Sequence, residues 1–173
     1  TWIELDAMAT TQIVRNFTDF PVAGSHQENA PSDFWHINKE AVLSPPDGHE
    51  YEISVEVFFN ANHYVKIGGK PGQVHSHAYR FRAVCVSTSL SEQDHVTVGY
   101  EVLRNRMKEI SFAYNNQLLN GLPPFRKLQA TTENLSAILF QQLDRMLEEV
   151  PIKLSSVTVW ESPTEAVTYR RGR

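Results

Sequence analysis

Tyr51-Glu52-Ile53-Ser54-Val55-Glu56-Val57-Phe58-Phe59 sets Tyr51, Ile53, Val55, Val57 and Phe59 against Glu52, Ser54 and Glu56. Alternation with a period of two marks a half-buried β-strand, because successive side chains leave a strand on opposite faces. The pattern returns at 75–87, where His75, His77, Tyr79, Phe81, Ala83 and Cys85 share one face and Arg80 and Arg82 the other. Between the two runs lies Gly68-Gly69-Lys70-Pro71-Gly72, a turn composition. Downstream the period changes. Leu103, Met107 and Ile110 predict a helix over about 100–112, and Gly121, Pro123 and Pro124 mark a loop. Leu135, Ile138, Leu139, Leu143, Met146, Leu147 and Val150 then predict a second helix. Thr131 or Thr132 caps it, and Glu133 complements its positive end. Strands at 152–160 and 165–170 close the chain, separated by Glu161-Ser162-Pro163-Thr164. The order strand, strand, helix, helix, strand, strand specifies an α+β domain with an antiparallel four-stranded sheet and both helices on one face.

The first 49 residues read differently, as an extension to a domain spanning 50–173. Pro21, Gly24, Pro31, Pro45 and Pro46 interrupt regular structure there, while Trp2, Phe17, Phe20, Phe34 and Trp35 supply apolar surface to pin the segment down. The 173 residues suit one domain with a proper core. A net charge of −4 argues against a nucleic-acid surface, and the basic ending Tyr169-Arg170-Arg171-Gly172-Arg173 is too short to reverse that. No apolar run approaches the ~18 residues that a membrane span needs. With one cysteine, Cys85, and no recognisable signal peptide, the expected location is cytoplasmic.

His75 and His77, two apart on a strand, project their imidazoles from the same face. His63 lies just past the end of the preceding strand, where a hairpin brings it beside the pair. Three neutral imidazoles with a fourth position open describe a catalytic zinc site. Among seven histidines, the His-x-His spacing alone is equally well explained by two surface residues.

Four segments break the tie. Phe59-Asn60-Ala61-Asn62-His63 resembles the Phe-x-Ala-x-His of the 6-pyruvoyl-tetrahydropterin synthase / 6-carboxytetrahydropterin synthase family, and Val74-His75-Ser76-His77-Ala78-Tyr79 resembles its His-Gly-His-x-Tyr. Thr131-Thr132-Glu133-Asn134-Leu135 is similar to its Thr-x-Glu-Asn helix start. Val157-Thr158-Val159-Trp160-Glu161-Ser162, with Ala166 and Tyr169, is similar to its Val-x-Val-x-Glu-Thr…Ala-x-Tyr ending. The four occur in family order across residues 51–170. The resemblance implies a T-fold, whose subunits join their sheets into a barrel as trimers stacked into hexamers. It also implies zinc on His63, His75 and His77 and a small-molecule pterin-like substrate. Glu161 would hold the amino-pyrimidine edge of that substrate, with Thr131 and Thr132 beside it. One carboxylate accepting two parallel N–H bonds is the chemistry of an arginine–carboxylate fork.

The acid–base residues do not carry over. The resemblance places the family's catalytic Cys at Pro71, and its Asp and His at Asn115 and Asn116. None of these three exchanges a proton near neutral pH. Tyr114, Tyr79, Glu109 and His36 are the remaining candidates, while Cys85, in mid-strand, reads as a small buried hydrophobe. Three functions stay open: a zinc enzyme redirected to another cyclisation, aldol or addition reaction on a carbonyl or pterin-like substrate; a non-catalytic zinc- or pterin-binding protein; and an orthodox pterin synthase. General acid–base groups contribute about 10²–10⁴-fold each. Little or no conversion of dihydroneopterin triphosphate to the pyruvoyl or carboxy pterin is therefore expected in a product assay. Turnover at the rate of an ordinary family member would show that another residue has taken over.

Overall fold

The computed structural model describes residues 36–172, and from Asn38 onward they form one compact unit. The reading of residues 1–49 as an extension falls, through Trp35 and its aromatic anchors, outside the described residues. After a short helix α1 (Lys39–Leu43) come β1 (Tyr51–His63), β2 (Lys66–Ile67), β3 (Lys70–Pro71) and β4 (His75–Ser87). Helix α2 (Tyr100–Tyr114) is followed by β5 (Gln117–Leu118) and two single 3₁₀ turns, Leu119–Gly121 and Pro123–Arg126. Then come α3 (Thr132–Met146), β6 (Lys153–Trp160) and β7 (Ala166–Arg170).

The four long strands and two long helices are those read from the sequence, in the same order. A two-residue strand is added at the sheet edge: the order is β5-β1-β4-β6-β7, with β5 parallel to β1 and the rest antiparallel. The turn-rich segment 64–74 folds as a small hairpin of β2 and β3. Its central residues Gly68 and Gly69 have φ of 57° and 81°, which suits the glycine pair to a type I′ turn. Gly72 follows, and a Cβ there would sit 3.0 Å from the Val65 carbonyl.

Alternation puts Val55, Val57, Phe59 and Ala61 of β1 and Tyr79, Phe81, Ala83 and Cys85 of β4 on one buried face. In β6 the apolar positions change phase, from Ile152 and Leu154 to Val157 and Val159. A bulge resolves this: Val84 pairs with Ser156 and Cys85 with Leu154, so Ser155 is passed over and all the apolar residues reach the same core. Helix α2 covers β1 while α3 covers β6 and β7, closing the core with Leu103, Met107, Leu135, Leu139 and Leu143. Thr131 is the cap of α3, its hydroxyl accepting the Asn134 N–H at 3.3 Å. The opposite sheet face carries Glu52, Glu56 and Phe58 exposed, with Arg80 stacked 3.8 Å over Trp160. No helix among the described residues is long and apolar enough to cross a membrane.

Leu139 is fully buried at the centre of α3. Leu139→Ala should lower the free energy of unfolding by about 2–5 kcal/mol in urea titration, through lost burial plus a residual cavity. A loss well under 1 kcal/mol would contradict this placement of the core.

Candidate metal centre and its cavity

The register of β1 against β4 decides the site. His63 is the last residue of β1 and pairs directly with His75, the first of β4, while Ala61 pairs with His77. His63 thus ends the strand where the alternation alone placed it just beyond. On one face of an antiparallel pair, direct partners have Cβ atoms about 5 Å apart and diagonal neighbours about 7 Å. The three imidazoles consequently converge. Ring centroids are 4.4 Å apart for His63–His75, 5.0 Å for His63–His77 and 4.9 Å for His75–His77. Their candidate ligand nitrogens all lie within 4.8 Å of one another.

Backbone carbonyls set the tautomers. Nδ1 of His63 lies 2.6 Å from the Ala130 carbonyl, and Nδ1 of His75 lies 2.9 Å from that of Gln73. A carbonyl only accepts, so each Nδ1 carries the proton and each Nε2 keeps a lone pair. Nε2 of His63 and Nε2 of His77 are buried with no hydrogen-bond partner among the described residues. Burying an unpaired polar atom is costly, and two of them facing a third imidazole fit a metal ion. Among the described residues no fourth Cys, His, Asp or Glu joins the cluster. Burial is graded: His63 is 3% exposed, His77 half-buried and His75 exposed. Desolvation depresses the His63 pKa, and the neighbouring His75 and His77 depress it further; the Ala130 hydrogen bond opposes them.

A cavity of ≈ 380 Å³ opens beside the cluster. His63 and His75 form one wall, Thr131, Thr132 and Glu133 at the start of α3 another, and Glu161 with Glu165 in the β6–β7 turn a third. Glu161 continues the buried alternation of Val157 and Val159 one step past β6, which aims it at the histidine side. The Thr132 hydroxyl donates to its carboxylate. The sequence-derived residues His63, His75, Thr131, Thr132 and Glu161 therefore meet around one space, with His77 behind its wall. Glu165, Glu133 as a lining group, and the two orienting carbonyls were not singled out from the sequence. They depend on backbone geometry, although the Ser162–Glu165 turn is a recognisable hydroxyl-capped turn.

Three of the four acid–base candidates, Tyr114, Glu109 and Tyr79, do not line this cavity. Tyr114 and Glu109 line a second, larger cavity of ≈ 620 Å³ between α2, α3 and the Pro123-Pro124 turn. Burial raises the Tyr114 pKa, partly offset by its hydrogen bond to Gln142 at 3.0 Å. Tyr79 is buried beneath the histidines, 5.5 Å ring to ring from His77, and burial with the Glu161 charge pushes its hydroxyl far above its ordinary range. His36 is exposed and precedes the compact unit. The Cys85 thiol, fully buried, is pushed up to about 12 by burial and the Asp144 charge.

Two of the three positions that depart from the family pattern serve as ties to the Asn60 backbone. The Asn115 side chain accepts the Asn60 N–H at 2.9 Å, and the Asn116 N–H donates to the Asn60 carbonyl at 2.6 Å from a left-handed φ of 59°. Pro71 sits exposed in β3.

The profile of the family described as 6-pyruvoyl tetrahydropterin synthase matches residues 52–172. The chain belongs to that family. Among solved structures, the Caenorhabditis elegans 6-pyruvoyl tetrahydropterin synthase superposes with a TM-score of 0.64 at 17% identity, covering 75% of this chain and 99% of that one. The Plasmodium vivax 6-pyruvoyltetrahydropterin synthase gives 0.60 at 15% identity over 72% and 99%. The Plasmodium falciparum 6-pyruvoyl tetrahydropterin synthase gives 0.57 at 16% over 70% and 98%. At these identities the structural likeness establishes the fold alone. A search of curated protein sequences finds no match. The pterin synthase family therefore frames the site, while its details rest on the residues of this chain.

The depressed His63 pKa has a signed consequence. Between its folded value and the ordinary 6.5, the unfolded chain binds more protons than the folded one, so stability rises with pH through that window. In EDTA, the thermal midpoint should fall as pH drops below about 6.5. His63→Gln should flatten that dependence, and an equally steep curve in the variant would assign it elsewhere.

Proposed function

We propose that the protein is a zinc-dependent enzyme of the pterin synthase type, acting on a pterin-like or small carbonyl substrate and redirected from the family's usual reaction. The observation that carries this reading is the three-imidazole cluster standing against a cavity that also holds Glu161. A structural zinc is closed by four protein ligands, whereas a catalytic one keeps a position for water or substrate. His63, His75 and His77 would hold the ion, which when bound polarises a substrate oxygen and stabilises charge developing on it. Glu161, fixed by Thr132, would accept paired N–H groups from an amino-pyrimidine edge. Ala130 and Gln73 would keep the first two imidazoles in the tautomer that presents Nε2. Redirection is supported by Pro71, Asn115 and Asn116, since two of the three are engaged with the Asn60 backbone and none transfers a proton. Location in the cytoplasm and a trimer-based hexamer belong to the same proposal. Pairing between copies is supported by β7, which among the described residues is the last strand of its sheet, since exposed sheet edges favour such pairing.

One observation favours a non-catalytic zinc- or pterin-binding protein instead: none of Tyr114, Tyr79 and Glu109 lines the cavity. Two variants test the main reading and separate it from this one. Elemental analysis should find about one zinc per chain. It should find almost none in the His75→Ala/His77→Ala double variant; unchanged zinc there would overturn the metal assignment. Glu161→Gln should keep its zinc and bind dihydropterin about tenfold or more weakly, the scale of a lost charged hydrogen bond. Under the enzyme reading it should also lose turnover of the native substrate. Undiminished binding would remove Glu161 as the anchor.

A further inference from the structure

The cavity beside the histidines has an unequal charge inventory. Three of its lining residues are carboxylates, Glu133, Glu161 and Glu165, and among the described residues that line it there is no Lys or Arg. Lys66, adjacent in sequence to the lining residue Val65, does not line it. The space is a ligand site on independent grounds, because His63, 97% buried by its 3% exposure, lines it and leaves Nε2 without a partner.

Each carboxylate has a different setting. Glu161 is engaged by the Thr132 hydroxyl. Glu133 lies in the first turn of α3 and complements the positive end of that helix. The helix start thus already carries one carboxylate, Glu133, and the Thr131 cap. Glu165 is exposed and stands apart from the helix start. It lies across the β6–β7 turn from Glu161 and is held by Ser162, whose hydroxyl accepts the Glu165 N–H at 3.1 Å and donates to the Glu165 carboxylate. The same hydroxyl accepts the Thr164 N–H at 3.2 Å, so the turn presents the carboxylate from a fixed backbone. A divalent ion on the histidines would offset two of the three negative charges and leave the cavity acidic.

We propose that Glu165 is a substrate-selecting residue that makes this cavity favour a ligand rich in N–H donors and lacking phosphate over the phosphorylated form of the same heterocycle. The inference rests on the reading of the cavity as a pterin-type site. A phosphate ester brings several negative charges into a space that three carboxylates line, where it meets repulsion and, among the described residues, no Lys or Arg. An amino-pyrimidine edge or an amine brings donors that the carboxylates accept. Being exposed, Glu165 acts through a screened field.

The test is equilibrium binding of dihydroneopterin and of its triphosphate to the zinc-loaded full chain, by fluorescence titration at low and high salt. The unphosphorylated pterin should bind more tightly. Glu165→Gln should raise affinity for the triphosphate about two- to fivefold, the scale of one exposed charge contact, and leave the unphosphorylated pterin nearly unchanged. Glu165→Lys should move the ratio further in the same direction, and high salt should shrink the gap. A wild-type protein that prefers the triphosphate, or a ratio unmoved in both variants, overturns the inference while the site reading stands. If neither pterin binds the zinc-loaded protein, the pterin reading fails and the inference falls with it. Glu161→Gln separates the cases, because it should weaken both ligands together.

Discussion

Pairing of His63 with His75 across β1 and β4 is the constraint on which the rest of the site depends. Strand pairing is quantised: a slip of one residue turns every side chain to the other face. That slip would carry the histidines to the face of Glu56 and Phe58 and would expose Val55, Val57 and Phe59. The core and the histidine cluster are therefore specified by the same register. The hydrophobic face that packs against α2 and α3 holds the imidazoles in place at the strand ends. Function here borrows its precision from burial: about 25 cal/mol for each Å² of apolar surface removed from water fixes a geometry that three loosely placed histidines could not hold.

The surroundings of the cluster are built from backbone. Ala130 immediately precedes the Thr131 cap of α3, so the residue that orients His63 and the one that starts the helix are neighbours. Glu161 and Glu165 flank the short turn from β6 to β7 and reach the cavity because β6 runs antiparallel to β4, which brings its end toward the histidines. Asn115, Asn116 and Asn120 lash the segment after α2 to the end of β1, through Asn60 and Tyr64. Two of the three positions where the family resemblance places proton-transfer groups, Asn115 and Asn116, thus contribute here to holding β1. An Asn amide is suited to that, since it offers both a donor and an acceptor to a strand edge.

Much of this was legible in the sequence because burial on one face leaves a periodic signature. The alternation in β1 and β4 and the Leu135–Leu139–Leu143 stripe of α3 gave the elements, their order and the shared face of His75 and His77. The convergence of His63 on the pair followed from hairpin geometry, and Glu161 came from a resemblance in register with those elements. Strand β5 was not legible: two residues have no period, and their pairing with Ala61 and Asn62 is a consequence of the Asn116 turn. The bulge at Ser155 was written as a change of phase between Leu154 and Val157 that alternation alone does not interpret. The acid–base candidates were chosen by residue type, and type does not say which cavity a side chain lines. Tyr114 and Glu109 went to the space between the helices, and Tyr79 beneath the histidines, where burial holds its proton.

X-ray absorption at the zinc edge on the purified, zinc-loaded protein tests the central claim most directly, because it reads the ligand set without reference to any substrate. The account predicts three imidazole nitrogens at about 2.0–2.1 Å and one further light scatterer that changes when a pterin is added. A sulfur scatterer near 2.3 Å, or a fourth protein nitrogen unmoved by any ligand, would contradict it.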